Sequence, residues 1–303
     1  MSLPPAKRSP QTAVFVGLAR ECQRYLGRAL ANVEKMASCY DAAKFVFIVG
    51  AGEDATAEIL SAWLAAGRTG QLVEFGKAEA RFEKRTMRLA YARNVGLRLA
   101  ESLAPDADHL VMTDLDDVLS GEIDVAAFDE ARQWLGSAAD IAAVCASAYP
   151  RYYDIWALRH RTWCPSDCWQ EIWNRPGDRS FAAAKFGLVH ARQLELGPQQ
   201  PPIPVEAAFG GLAVYKHGWI RGCRYIGVAS DGREVAEHVP FSEAIRRRGG
   251  QVFIYPRLQV RAPVEHLFAW HQWRLRDLPA VACHSVVAAW RRRALSRSLS
   301  VGA

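Results

Sequence analysis

Along residues 12–117, short apolar runs alternate with segments of helical periodicity and end in a cluster of aspartates, a pattern that few folds accommodate. Residues 12–17 (TAVFVG), 44–49 (KFVFIV), 72–75 and 109–113 (HLVMT) read as buried strands. After the first of them Cys22, Tyr25, Leu26, Ala29, Leu30, Val33 and Met36 recur at helical spacing. Asp54 is placed to cap a second helix with the face Ile59, Leu60, Trp63 and Leu64, and a third covers residues 85–103. Strands separated by helices build an α/β fold with a doubly wound, mostly parallel sheet flanked by helices. Ligands of such sheets bind at the carboxyl ends of the strands.

Asp114 stands at one such end, in the run Thr113-Asp114-Leu115-Asp116-Asp117. Alternate residues of an extended segment share a side, so Asp114 and Asp116 converge while Leu115 turns to the core. Carboxylates brought together repel unless a cation lies between them. Hard oxygen ligands of this kind suit Mg²⁺ or Mn²⁺, which in turn bind phosphate oxygens. An acidic helix cap is the simpler alternative, since aspartate favours that place as well.

Of the 303 residues half are hydrophobic, and no stretch approaches the ~20 unbroken apolar residues of a membrane span. Nothing at the N-terminus has the apolar core of a signal peptide, so a cytoplasmic location is expected. The seven cysteines are odd in number and irregular in spacing, which suits reduced thiols; His160, Cys164 and Cys168 lack the separate turns of a zinc site. A net charge of +6 favours anionic partners. The basic residues do not interleave with aromatics into a nucleic-acid motif, so no nucleic-acid partner is expected. Arg291, Arg292, Arg293 and Arg297 follow Val286, Val287, Ala288 and Trp290, which makes residues 266–303 a basic helical tail. A solvated terminus is its simpler reading and a peripheral contact with the inner face of the membrane the alternative.

Beyond residue 140 the pattern changes. A strand is expected over 141–146, then a long loop region or small mixed lobe over 149–204, dense in Trp, Tyr, Arg and Pro. Structure resumes over 210–215, with a helix near 241–248 and a strand over 252–255 closed by Pro256. The chain divides accordingly into a leader (1–11), a nucleotide-binding half (12–140), a second half of the same fold (141–265) and the tail.

Two families carry the acidic motif. The run 114–119 (DLDDVL) is similar to the nucleophile motif of haloacid-dehalogenase-type phosphatases, in which Asp114 would attack phosphate and Asp116 handle protons. That motif belongs on a first strand and needs a later Gly-Asp-x-x-x-Asp, which is missing after Asp117. The run 85–94 (RTMRLAYARN), about one helix and one strand upstream of Asp116, instead resembles nucleotide-sugar glycosyltransferases of the GT-A fold. More narrowly, the chain resembles the capsule-associated α-mannosyltransferase family of fungi and its bacterial relatives. Residues 17–22 (GLAREC), 153–159 (YDIWALR), 209–215 (FGGLAVY) and 237–241 (EHVPF) complete that likeness in the expected order, over roughly residues 12–260.

The resemblance implies transfer of a hexose, with mannose suggested, from a GDP- or UDP-linked donor to a saccharide or lipid-linked acceptor, aided by Mn²⁺ or Mg²⁺. It implies metal and ribose contacts from Asp114, Asp116 and Asp117, with His238 completing the metal shell, and Glu237 deprotonating the acceptor hydroxyl. Arg20, Asp54, Arg85, Arg88, Arg93 and Asn94 fall to the nucleotide sugar, with Gly210 and Gly211 letting backbone approach it. A regular helix cannot aim Arg85, Arg88 and Arg93 at one ligand, and Arg93 with Asn94 is the favoured pair. Asp154, Trp156 and Arg159 fall to the acceptor, with Trp163, Trp169 and Trp173 as further flat rings for a sugar face. The family's acidic residue at the end of the second strand is replaced here by Gly50 and Ala51. A non-catalytic carbohydrate-binding protein of the same fold is the remaining alternative.

Overall fold

The structure, a computed structural model, describes residues 11–76 and 81–267. Eight strands form one mixed sheet: β1 (Thr12–Ala19), β2 (Ala42–Val49), β3 (Gly70–Glu74), β4 (His109–Asp114), β5 (Ile141–Tyr149), β6 (Ile203–Val205), β7 (Leu212–Lys216) and β8 (Gln251–Arg261). Their spatial order is β3-β2-β1-β4-β7-β5-β8-β6. The first four strands are mutually parallel, β7 runs antiparallel to both β4 and β5, and β8 is parallel to β5 with β6 antiparallel at its edge. The second half of the chain therefore extends the sheet of the first. The sheet direction is mixed beyond β4 because β7, which lies between β4 and β5, runs opposite to both.

The central strands are apolar on both sides and bury two cores. Val14 and Val16 of β1 face one with Val46, Ile48 and Met112; Phe15 faces the other with Phe47 and Val111. Each such side chain contributes about 1.5–3 kcal/mol by leaving water. Helices α1 (Gln23–Ala37) and α2 (Thr56–Ala65) cover the second face, and α3 (Arg85–Leu103) covers the first. α3 lies close because its contact side is small. A Cβ on Gly96 would come within 2.5 Å of Val16 Cγ1. Further along come α4 (Val125–Leu135), α5 (Cys168–Trp173), α6 (Phe181–Leu188), the single turn α7 (His217–Ile220) and α8 (His238–Arg247).

One expectation changes, and of the two readings for the stretch after residue 149 the small mixed lobe fits. Pro256 does not close the last strand: β8 continues to Arg261, and the pairing with β5 jumps from Ala146–Tyr255 to Ser147–Gln259. Pro256 sits in that irregularity, where it has no ladder hydrogen bond to donate. The aperiodic stretch after residue 149 holds the short helices α5 and α6, capped by Asp167 and Ser180, rather than loop alone. Among the described residues no helix is long and apolar enough to cross a membrane. The basic tail lies outside the described residues, apart from its first two.

Candidate active site

β1 has β2 on one side and β4 on the other, so the chain reverses its order of strand addition between β1 and β4. A crevice opens at such a point beyond the strand ends. Asp114 is the last residue of β4, paired with Leu18 of β1. Leu115 turns inward and is fully buried, with its side chain where a Cβ on Gly17 would be. Asp116 then caps a short 3₁₀ turn (Asp117–Ser120), accepting a 3.0 Å hydrogen bond from the Val118 amide. A capping aspartate can thus also face a cleft: Asp114, Asp116 and Asp117 all line the same one.

That cleft has a volume of about 330 Å³, enough for a small molecule. Arg93 lies at its inner end, 2% exposed. Its Nε donates to Glu237 Oε1 and its Nη2 to Asp114 Oδ1, both at 2.9 Å, while Nη1 is buried with no hydrogen-bond partner. Burial opposes a charge on Arg93, but Asp114 and Glu237 outweigh it and hold the guanidinium firmly protonated. Its carbon sits 4.6 Å from the Phe209 ring centre, and Phe209 stacks on His238 at 3.8 Å. Burial, with Arg93 nearby, pushes His238 well below the usual imidazole range, so the ring is neutral; neither of its nitrogens has a hydrogen-bond partner.

The carboxyl groups feel the same confinement. Burial, reinforced by the charge of Asp114, raises Asp116 to about 7. Burial raises Asp154 to about 6, against the 3.0 Å hydrogen bond it accepts from the Gly210 amide. Six carboxyl groups (Asp114, Asp116, Asp117, Asp154, Glu237, Glu265) line the cleft against three cationic side chains (Arg85, Arg93, Lys185). Among the described residues no three His, Cys, Asp or Glu side chains converge as a closed metal cage. A hard divalent ion that uses one or two carboxylates and completes its shell with phosphate oxygens and water needs no such cage. The donor set around Asp116 fits an ion of that kind.

Asp114, Asp116, Asp117, Glu237, His238, Arg85, Arg93, Asp154 and Trp156 share the cleft. Trp169 also lines the cleft, and the other expected site residues stand elsewhere. Asn94 is turned away from the cleft, with its Nδ2 donating to Tyr225 O at 2.8 Å and its Oδ1 accepting from Tyr225 N at 2.9 Å. Arg88 donates to Phe82 O, and Arg159 to Asp167 and to two carbonyls of its own turn. Arg20 is exposed beside Glu21, 3.9 Å away. Asp54 accepts from the amides of Gln23 and Thr56, at the starts of α1 and α2. Gly210 and Gly211 have positive φ, and the space beside each is filled by protein. A Cβ would lie 2.4 Å from Ala146 O and from Val118 Cγ1 respectively.

Sequence reading missed Lys185, His190, Glu265 and His266, which also line the cleft. His266 stacks on Tyr153 at 5.6 Å, and burial lowers its pKa below that of a free imidazole. No local pattern marks these four, although the caps Asp167 and Ser180 could have located the helices around Lys185. The six described cysteines are free thiols, and among the described residues no zinc cluster forms around His160.

No protein-family model matches this chain, and no curated protein matches it. Solved structures do. One is the mannosyltransferase PcManGT from Pyrobaculum calidifontis in complex with GDP-Man and Mn²⁺, at 18% identity and TM-score 0.50, covering 93% of this chain and 65% of that one. Another is GalNAc-T7 with UDP, GalNAc and Mn²⁺, at 15% identity and TM-score 0.50, covering 88% and 45%. This chain thus spans about two-thirds or less of the length of these structures. The likeness shows the fold: a GT-A-like sheet flanked by helices, as the motifs imply.

Proposed function

We propose that this protein is a glycosyltransferase that moves a hexose from a nucleotide-diphosphate sugar to a hydroxyl of a saccharide or lipid-linked acceptor, with Mn²⁺ or Mg²⁺. The observation that carries the reading is the carboxylate excess in a cleft at the strand ends, gathered around Asp114 and Asp116. A donor diphosphate entering there is repelled unless a cation bridges it to those carboxylates. Asp116 and Asp117 are the residues to hold that ion, with Asp114 beside them, and His238 and His266 are neutral imidazoles lining the same cleft. The ion, when bound, supplies charge neutralisation for the departing diphosphate.

In the transfer, the bond from the anomeric carbon to the diphosphate oxygen breaks and a bond to the acceptor oxygen forms. The acceptor proton passes to a carboxylate, for which Glu237 is the candidate. Arg93 grips one oxygen of Glu237 and so fixes its orientation in the cleft wall. Arg85 and Lys185 at the cleft add positive charge for the diphosphate. Mannose as the sugar, and GDP as its carrier, rest on the sequence resemblance and on the GDP-Man bound by PcManGT.

Titration calorimetry of GDP and of UDP, each with Mn²⁺ and with EDTA, tests this. One nucleotide is expected to bind only with the metal, and Asp116→Ala is expected to weaken it at least tenfold. Binding that ignores both EDTA and Asp116→Ala, or no binding of either nucleotide, would refute the donor site. Release of inorganic phosphate dependent on Asp114 would mark a phosphatase instead.

A further inference from the structure

A row of aromatic rings starts inside the cleft and runs out to solvent. Trp156 and Trp169 line the cleft. Their rings meet edge to face at 6.4 Å, and Trp169 stacks on Trp173 at 6.1 Å with 27° between the planes. Phe181, at the start of α6, closes the row against Trp173 at 5.5 Å and Trp169 at 6.4 Å. Trp173 is 62% exposed and Phe181 38%, and the Arg175 guanidinium lies 5.6 Å from the Phe181 ring centre.

The base of this row is pinned by one side chain. Asp167 Oδ1 accepts from the Trp169 and Gln170 amides at the start of α5, and its Oδ2 accepts from Trp156 Nε1 at 3.1 Å and Arg159 Nη2 at 2.9 Å. Asp167 therefore sets the position of Trp156 and the direction of α5 together. Folding leaves the outer end of the row with most of Trp173 in water, although indole is costly to hydrate. A sugar ring has one face of C–H groups that packs on such a ring and hydroxyl edges that stay in water. An exposed row with a rigid base suits that ligand, whereas an acyl chain needs an enclosed groove.

We propose that Trp169, Trp173 and Phe181 form a stacking subsite for the non-reacting sugars of an acceptor saccharide of two or more residues, with the reacting sugar inside the cleft beside Trp156. The proposal rests on the transferase reading and adds to it the class of acceptor. An acceptor chain that enters the cleft has to leave it again, and the row gives the path a wall.

A printed array of mono- and oligosaccharides, probed with the wild-type chain, Trp173→Ala, Phe181→Ala and Trp173→Phe, tests the subsite. Retention on a subset of glycans with at least two sugars is expected. The signal should fall about tenfold in Trp173→Ala, less in Phe181→Ala, and be largely kept in Trp173→Phe. Circular dichroism should not change, because Trp173 is mostly in solvent. A blank array, or signals indifferent to Trp173→Ala, would overturn the proposal. So would binding to phosphatidylcholine–phosphatidylglycerol vesicles that needs Trp173 while the array stays blank, which would make the row a lipid contact. Nucleotide titration on the same samples separates the two readings. Nucleotide binding without glycan binding removes the subsite alone. Trp173-dependent glycan binding without nucleotide binding removes the donor site and leaves a carbohydrate-binding protein.

Discussion

Arg93 is buried between Asp114 and Glu237 and is the only cation that touches both among the described ion pairs. The cost of sealing its charge is offset by two ion pairs and by the Phe209 face, so its value lies in the pairing. Arg93→Met leaves two partly or fully buried carboxylates facing each other without a counter-charge, and should destabilise the fold by about 3–5 kcal/mol. Arg93→Lys can reach one carboxylate at a time and should recover part of the loss, because a point charge cannot replace a fork. Denaturant unfolding of the two variants measures this. Equal stability of wild type and Arg93→Met would show that the pairs carry no net weight. As a sequence feature Arg93 reads as a cation for a diphosphate; its position behind the carboxylates makes it their anchor as well.

At the scale of elements, α3 and the segment 225–237 form a clasp. Thr86 Oγ1 donates to Glu234 at 2.9 Å, Asn94 exchanges two hydrogen bonds with the Tyr225 backbone, and Arg93 holds Glu237. Residues of the 85–94 run thus seat the segment that brings Glu237 to β4. The Gly210–Gly211 turn does the same for β7: Gly211 O accepts from the Asp114 amide at 3.0 Å, and Gly211 packs on Val118 at the acidic turn. Gly211→Ala should be destabilising through both the 2.4 Å approach to Val118 Cγ1 and a φ of +86°. Val118→Ala removes the first cause and leaves the second. The double variant should therefore lose less stability than the sum of the singles, by roughly 1 kcal/mol or more in a denaturation cycle. Strict additivity would mean that only the backbone conformation matters.

For the whole molecule, the cleft makes stability depend on pH in an unusual direction. Asp154 keeps its proton to about 6 when folded, against 3.8 for the free group, with burial the cause. Its contribution is fully present below 3.8 and is lost as pH rises through about 6, because the unfolded chain ionises first. Asp154→Asn removes that loss while keeping an acceptor for the Gly210 amide. Thermal unfolding from about pH 4 to pH 8 should show the variant gaining on the wild type up to about pH 7 and holding a constant lead of a few degrees beyond. Parallel curves across that range would place the ionised carboxylate in a site that costs nothing.

Local chemistry in the sequence determined the strands and helices of the first half, the aspartates at the end of β4 and the inward turn of Leu115. Each follows from periodicity of 2 or 3.6 and from turn residues, which act within a few positions along the chain. The runs at 85–94 and 237–241 pointed to the fold through their resemblance to GT-A glycosyltransferases, which short local patterns can carry. Only tertiary structure decided which of their residues meet. Arg93 reaches Asp114 and Glu237 while its neighbour Asn94 is directed to Tyr225, because adjacent helix positions face about 100° apart. It also decided that Lys185, Glu265 and His266 come to the cleft, and that Asp54 and Arg159 serve helix starts and a local turn instead. Such meetings join residues up to 181 positions apart, from Arg85 to His266, and no local pattern encodes a contact set by the packing of the whole sheet.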